Sequence, residues 1–356
     1  MIGTWNARPV YGKVDDNNNN TVGMLGESKG KDKMDQTLSL HTILPSTNSF
    51  EDYEVLKLNA EIRNAIAKEI IERHQLPEAP LKLFSEGTNI VFAYGDHTVI
   101  KIFPPFHLYQ FKSELLVLKH LQGKLSLKTP TVNYEGEIFG WPYIVMTQLD
   151  GTLLETLWDT MNHDNKMIII RELGSLIREV HSLPTHGLEA IDCHWEKFIR
   201  KQINLCVEHH RSVGLPNTLL EQIPSYIEST KDSLIKIEKP VLLIGEYTPM
   251  NFLVKKTHGV WHIDGLIDFG DSMLGLPEYD LLGPGAFLIQ GDKSLLKEFL
   301  TSYGYTSNTM TPALSHQLTA LMLLHKYSNL NVQVRIKDWQ NNVQNLKDLE
   351  TLIWGL

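Results

Sequence analysis

The sequence predicts a bilobal α+β protein, with a small antiparallel-sheet lobe followed by a larger helical one. Three patterns carry that expectation. Between residues 81 and 149, short runs of β-branched and aromatic residues alternate with glycine-containing turns. Beyond residue 152, apolar residues recur at the three- and four-residue spacing of amphipathic helices. A single pair of apolar runs, 241–244 and 252–268, interrupts those helices. The expected division is a disordered leader (1–50), a first lobe (51–148) and a helical lobe (149–356).

Residues 12–37 are polar, rich in asparagine and nearly devoid of large apolar side chains, so burial there cannot offset the entropy of ordering. Leu58, Ile62, Ile66 and Ile70 then fall every four residues, on one face of a helix that Pro77 and Pro80 close. The stretch "LKLFSEGTNIVFAYGDHTVIKIF" (81–103) reads as three strands, turned at Gly87 and at Gly95-Asp96. "FKSELLVLKHLQG" (111–123) is a helix with Leu115, Leu118 and Leu121 inward and Gly123 as its stop. "TVNYEGEIFGWPYIVMTQL" (131–149) adds two strands around Gly136 and Gly140. The expected sheet therefore has about five strands, with one helix inserted after the third. Residues 166–183 carry a broad helical stripe, helices over 195–210 and 218–237 follow, and helices from Glu278 onward complete the chain.

At 356 residues the chain can bury a sizeable core. Its formal charge of −9 and pI near 5.9 argue against non-specific nucleic-acid binding, which needs a basic face. The same charge suits a cationic small molecule. The two cysteines, Cys193 and Cys206, form neither a disulfide framework nor a metal knuckle. The N-terminus lacks the apolar core of a signal peptide, and no run of about 18 apolar residues could cross a bilayer. A cytoplasmic protein with no membrane partner is expected.

Two loops hold the chemistry-bearing residues. In the first lobe, Gly87 lies in a turn between strands and Lys101 in the strand that follows. A flexible turn lets backbone N–H groups approach phosphate oxygens, and an ammonium nearby neutralises them. A plain hairpin with one snorkelling lysine would explain those two residues alone. Glu114, thirteen residues on and in the next helix, can hold Lys101 extended as an orienting ion pair. In the second lobe, Asn251 begins one strand of an expected hairpin and Asp268 ends the other, with Glu246 on the loop before them. An amide oxygen and a carboxylate are hard ligands for Mg²⁺, and a second carboxylate can accept an alcohol's proton. Singly, such residues are ordinary turn acids and a pre-strand asparagine. The ordered set of five is what points to a site.

With these residues in place, the chain resembles the aminoglycoside phosphotransferase and choline kinase group, bilobal relatives of protein kinases. The family loop H-G-D-x-x-x-x-N appears as "IGEYTPMN" (244–251). Its metal segment appears as "IDFGDSMLGLPEYDLL", with Asp268, Gly275, Pro277, Asp280 and Leu281 matching, and "LGSLIREVHSLP" is similar to a family helix. The resemblance spans residues 51 to about 330. It implies ATP and Mg²⁺ as cofactors, and transfer of the γ-phosphate to a hydroxyl of an aminoglycoside-, amino-alcohol- or sugar-like acceptor. Lys101 would contact the α and β phosphates, held by Glu114, while Ser85, Gly87, Thr88 and Asn89 would lie over them. Thr147, Gln148 and Leu149 would meet the adenine edge, Asn251 and Asp268 would bind the metal, and Glu246 would be the catalytic base.

Three positions depart from the family pattern: Ile244 for the loop histidine, Leu276 for an aspartate, and Glu246 for the aspartate base. Glutamate differs little in acidity, by about 0.4 pKa units. Its reach is longer by about 1.5 Å, one C–C bond. A nucleotide-binding pseudokinase acting as an interaction module is thus the alternative. A protein kinase fits less well, because only a short segment separates Asp268 from Pro277. Asp159, Asp164, Glu278 and the C-terminal acids are candidates to attract an amine-bearing acceptor, expected between residues 153–182 and the helices after 277. His181 reads as structural, His209-His210 as an ordinary helix pair, and Phe103, Phe106 and Tyr109 as packing.

Overall fold

A computed structural model describes residues 50–84 and 87–356 of the chain. The expected leader (1–49 of it) and Ser85 lie outside the described residues. Two helices, α1 (Phe50–Leu58) and α2 (Ala60–Arg73), precede the sheet where the four-residue spacing predicts one. The break is Asn59, whose side chain accepts from the Glu61 and Ile62 N–H groups and caps α2. Leu58 consequently leaves the stripe and stands 80% exposed, while Ile66 and Ile70 are fully buried.

The first-lobe sheet runs β1 (Leu81–Leu83), β2 (Ile90–Tyr94), β3 (Thr98–Ile102), β5 (Trp141–Thr147), β4 (Val132–Ile138), antiparallel throughout. Helix α3 (Leu108–Leu121) is inserted after the third strand, as the pattern predicts. Phe139 and Gly140, both at positive φ, make the tight β4–β5 turn, whereas Gly136 sits inside β4. Side-chain alternation divides the sheet between two cores. Ile90, Phe92, Ile100 and Ile102 face α1 and α2 on the outer side. Val91, Val99 and Phe103 face α3 and join the core of the second lobe. Lys101 belongs to that inner set by parity, and this is what aims a lysine into the molecule rather than out of it.

The second lobe is built on α4 (His163–Ser182) and α5 (Trp195–Ser212), followed by short helical turns to Ile235. Strand β6 (Thr152–Leu153) joins the hairpin of β8 (Phe252–Thr257) and β9 (Val260–Leu266). β7 (Val241–Leu243) pairs instead with β10 (Met273–Gly275). Helices α6 (Lys293–Tyr303), α7 (Pro312–Leu324) and α8 (Leu346–Ile353) close the lobe. Its core is rich in leucine, isoleucine and aromatic side chains, with Trp339 and Trp354 fully buried. Among the described residues, no helix is long and apolar enough to cross a membrane.

Candidate active site

Lys101 and Glu114 are each 1% exposed, and their Nζ and Oε2 atoms stand 2.5 Å apart. The inward parity of β3 and the buried face of α3 set this pair. Burial pushes the Glu114 carboxyl up to about 7, against the pull of Lys101. Lys101 also donates to Asp268 Oδ1 at 3.0 Å, so one ammonium ties the sheet, α3 and the far lobe together. Ser113, one residue before Glu114, donates to the Ser272 carbonyl at 2.8 Å and seats α3 on the segment that carries Asp268.

Asn251 and Asp268 meet as the hairpin predicts. Phe252 is paired with Leu266, and Ile267 N–H donates to the Asn251 carbonyl at 3.0 Å. The strand ends thus place the two side chains beside each other. Asn251 Nδ2 donates to the Glu246 carbonyl at 3.0 Å, which commits the amide nitrogen and turns Oδ1 the other way. Asp268 is held in the left-handed region at φ 66°, an uncommon conformation that Asp tolerates and that recurs at functional positions. An amide oxygen and a carboxylate 13% exposed form a hard-oxygen donor pair that fits Mg²⁺, whose remaining ligands would be phosphate oxygens and water.

The loop bearing Glu246 is fixed from behind. Asp280 accepts from Ile244 N–H at 3.0 Å and from Gly245 N–H at 2.8 Å. His181 Nε2 lies 3.1 Å from Asp280 Oδ2, with its other nitrogen 3.0 Å from the Tyr303 hydroxyl. Ile244 is fully buried in the core, so packing anchors the loop where relatives in the resemblance carry histidine. Gly245 is at φ 83°, and a Cβ there would fall 2.9 Å from the Asp271 carbonyl, so only glycine lets the two loops approach. Glu246 itself is 8% exposed.

Gly87 and Thr88 precede β2, and Asn89 is 8% exposed with its Oδ1 lacking a protein partner. No periodicity or motif signals that α1 pins this turn: the Tyr53 hydroxyl donates to the Thr88 carbonyl at 2.7 Å, and Lys57 Nζ to the Gly87 carbonyl. At the hinge, Thr147 N–H is spent on Thr131 and Gln148 N–H on His97. Leu149 is therefore the hinge position whose N–H can face a base, and its side chain lies over Gly265 of β9.

A second acid also escaped the sequence reading. Asp271, 3% exposed in its side chain, pairs with Lys326 at 2.7 Å and accepts from the Tyr327 hydroxyl at 3.2 Å. Gln110 of α3 reaches it at 3.5 Å. Burial alone would raise Asp271; Lys326 and these donors hold it below the usual carboxylate range.

With this geometry in place, a family model described as "Phosphotransferase enzyme family" matches residues 82–314. The chain belongs to that family. It shares the protein-kinase-like fold of solved aminoglycoside phosphotransferases. The GDP complex of a wild-type aminoglycoside 2'-phosphotransferase is 18% identical, with a TM-score of 0.62, over 82% of this chain and 97% of that one. A Streptomyces rimosus enzyme in complex with ADP and streptomycin is 15% identical, with a TM-score of 0.54, over 73% and 98%. A curated relative, the lysine-specific demethylase JMJ21 of Arabidopsis thaliana, is 21% identical over 272 residues, 61% of this chain. The match spans only 29% of that relative's length.

The residues set aside as structural in this phosphotransferase do structural work. His181 buttresses Asp280, and Nε2 of His209 and of His210 donates to the Ser328 and Leu323 carbonyls, respectively. Phe103 packs against Phe111, while Tyr109 is half exposed and stands 3.4 Å from the Tyr327 hydroxyl. Both cysteines are free, and burial pushes Cys193 up to about 11 and Cys206 up to about 12. The three acids named as amine-attracting candidates do not gather at Glu246. Asp159 and Asp164 are exposed, and Asn165 beside the latter bonds to Trp261, at the opposite end of β9 from Asp268. Those seven residues of strand span roughly 23 Å. Glu278 accepts from the Tyr305 hydroxyl at 3.0 Å.

Proposed function

We propose that this phosphotransferase moves the γ-phosphoryl group of ATP to a hydroxyl of a small molecule, with Glu246 as the base. The observation that carries the reading is the bridge from Lys101 to both Glu114 and Asp268, with Asn251 and Glu246 on the adjoining loop. Lys101 orients the α and β phosphates, Glu114 holds it extended, and the 87–89 turn lies over the triphosphate. Leu149, at the end of the Thr147–Leu149 hinge, receives the adenine edge. Asn251 and Asp268 would hold Mg²⁺, which would supply positive charge against the phosphates. Glu246 accepts the hydroxyl proton as the acceptor oxygen bonds to the γ-phosphorus and the β–γ bridging P–O bond breaks, releasing ADP.

The domain division that follows is a nucleotide lobe ending at residue 148 and a catalytic lobe from 149. Acceptors to assay are aminoglycosides, amino alcohols and sugars, the first because neighbours of the same fold are complexes with streptomycin or gentamicin. Purified protein with MgATP and such a panel should release ADP together with a phosphorylated product. Tight ATP binding without ADP release from any acceptor would instead identify a pseudokinase module. A cytoplasmic site of action suits ATP as donor, and its test is cell fractionation.

A further inference from the structure

Three consecutive residues in the turn after α7 touch the segments that carry Glu114, Glu246 and Asp268. Ser328 N–H donates to the His325 carbonyl at 2.9 Å and closes the turn. The His325 ring hydrogen-bonds to the backbone of Gly245, the neighbour of Glu246. That ring also stacks on Tyr279 at 4.7 Å, and the Tyr279 hydroxyl accepts the Lys326 N–H at 3.1 Å. Tyr279 adjoins Asp280, whose carboxylate receives the Ile244 and Gly245 N–H groups. The turn lies beyond residue 314, where the match to the family model ends.

The side chains of Lys326 and Tyr327 converge on a single atom. Asp271 Oδ1 accepts from Lys326 Nζ at 2.7 Å, from the Tyr327 hydroxyl at 3.2 Å and from Gln110 Nε2 at 3.5 Å. A hydroxyl has one proton, and that of Tyr327 goes to Asp271; the Tyr109 hydroxyl, 3.4 Å away, is therefore the donor to Tyr327. Tyr109 and Gln110 open α3, the helix that carries Glu114. Ser113 seats the same helix on the Ser272 carbonyl at 2.8 Å. On the opposite side, the Asp271 carbonyl lies so near Gly245 that a Cβ there would stand 2.9 Å from it. Asp271 is thus the junction of α3, the Asp268 loop and the Glu246 loop. With its side chain 3% exposed, the carboxylate has little access to water in place of a lost partner, so the loop must shift if Lys326 lets go.

We propose that Lys326 and Tyr327 are positioning residues for phosphoryl transfer, which by gripping Asp271 keep the Asp268 loop, the Glu246 loop and α3 in one fixed relation. This rests on the phosphotransfer reading above. Neither side chain needs to touch nucleotide or acceptor. Their effect reaches the metal site through the three residues that separate Asp271 from Asp268, as the outer partners of a metal ligand act on the ligand they orient.

The test measures how much Mg²⁺ improves the affinity for a fluorescent ATP analogue, as the ratio of Kd in EDTA to Kd in Mg²⁺, alongside Tm without nucleotide. K326M should lower Tm and, where folded, cut that gain at least about tenfold, with the EDTA affinity within about twofold of wild type. K326R should keep most of the gain. Y327F retains the ring but loses the hydroxyl shared by Asp271 and Tyr109, and should cut the gain about fivefold. K326M/D271N leaves no buried charge uncompensated, so Tm should recover while the gain does not. An unchanged gain in K326M and Y327F, or a gain that returns with Tm in K326M/D271N, would show that the turn serves stability alone. Either result overturns the inference and leaves the phosphotransfer reading standing. A wild type whose nucleotide affinity ignores Mg²⁺ would defeat the metal-site reading and the inference together.

Discussion

Asp268 Oδ1 lies 3.0 Å from Lys101 Nζ, across 167 residues of chain and from one lobe to the other. That contact brings the proposed phosphate-orienting cation and a proposed metal ligand into one network. Replacing Asp268 by Asn keeps an oxygen that can accept from Lys101 but removes the charge. Affinity for MgATP should fall at least about tenfold, the order expected for a lost charge-assisted contact of 1.5–3 kcal/mol. Thermal stability should change little, because Lys101 keeps Glu114. Calorimetric titration with and without Mg²⁺ checks this; equal affinity in the variant would remove Asp268 from the metal site.

Glu246→Gln should abolish turnover and spare nucleotide affinity. The amide preserves shape but cannot take a proton, and the loss of a general base is about 100- to 10,000-fold in rate. Glu246→Asp tests the longer reach. Shortening by one methylene retracts the carboxylate about 1.5 Å. On a backbone fixed by Asp280, that displacement should cost on the order of 100-fold in kcat. Single-turnover kinetics distinguish the two variants. An unchanged rate in the glutamine variant would exclude Glu246 as the base.

Glu114 gives the chain a pH signature. Burial holds its carboxyl near 7 against an ordinary 4.5, so the folded chain binds this proton more tightly than the unfolded one. The resulting stabilisation is complete below about pH 4.5 and is lost as pH rises through 7. Glu114→Gln cannot titrate. Nucleotide-free wild type should therefore lose stability relative to that variant between pH 5 and 8, read as the difference in Tm. Parallel profiles would show that Glu114 is already ionised well below neutrality.

The Tyr53 hydroxyl anchors the phosphate turn from outside through the Thr88 carbonyl. Tyr53→Phe retains the ring contacts with Phe106 and Trp141 and removes the hydroxyl that makes that bond. The lost bond is worth about 1 kcal/mol. The KM for ATP should rise about fivefold with kcat nearly unchanged. A kcat loss instead would mean that α1 acts beyond the nucleotide turn.

What could be read from the sequence follows the range of the forces involved. Periodicity of two made β2, β3 and β5 visible and gave Lys101 its inward parity; hairpin spacing alone brought Asn251 to Asp268. Both are local rules. Asn59 was missed because Leu58 continues the four-residue spacing, while the cap that breaks the helix is a single side-chain bond. Asp271 and Lys326 were missed for a different reason. Their partner lies 55 positions away, and Lys326 sits in a turn with no motif around it. Tertiary ion pairs of this kind leave no periodic trace. Asp280 is intermediate: the family-like segment marked it, but only the fold shows which N–H groups it receives.

Those N–H groups make Asp280 the most exacting position outside the cleft. It is 2% exposed, and its two oxygens accept from Ile244 and Gly245 while one also meets His181. Asp280→Ala strands two buried backbone donors and a histidine nitrogen. Each buried donor left without a partner costs about 1–3 kcal/mol, so the two backbone donors alone set an expected loss of roughly 2–6 kcal/mol. Asp280→Asn keeps one acceptor oxygen but must present an N–H₂ group toward a backbone N–H, so it should also destabilise, by less. Because the Glu246 loop hangs from these bonds, kcat should fall at least about tenfold in the asparagine variant at temperatures where it remains folded. The ATP affinity set by Lys101 and Asp268 should stay near wild type. Denaturant melts with single-turnover rates separate the two effects. An asparagine variant that is destabilised yet fully active would show that the loop keeps its shape without Asp280.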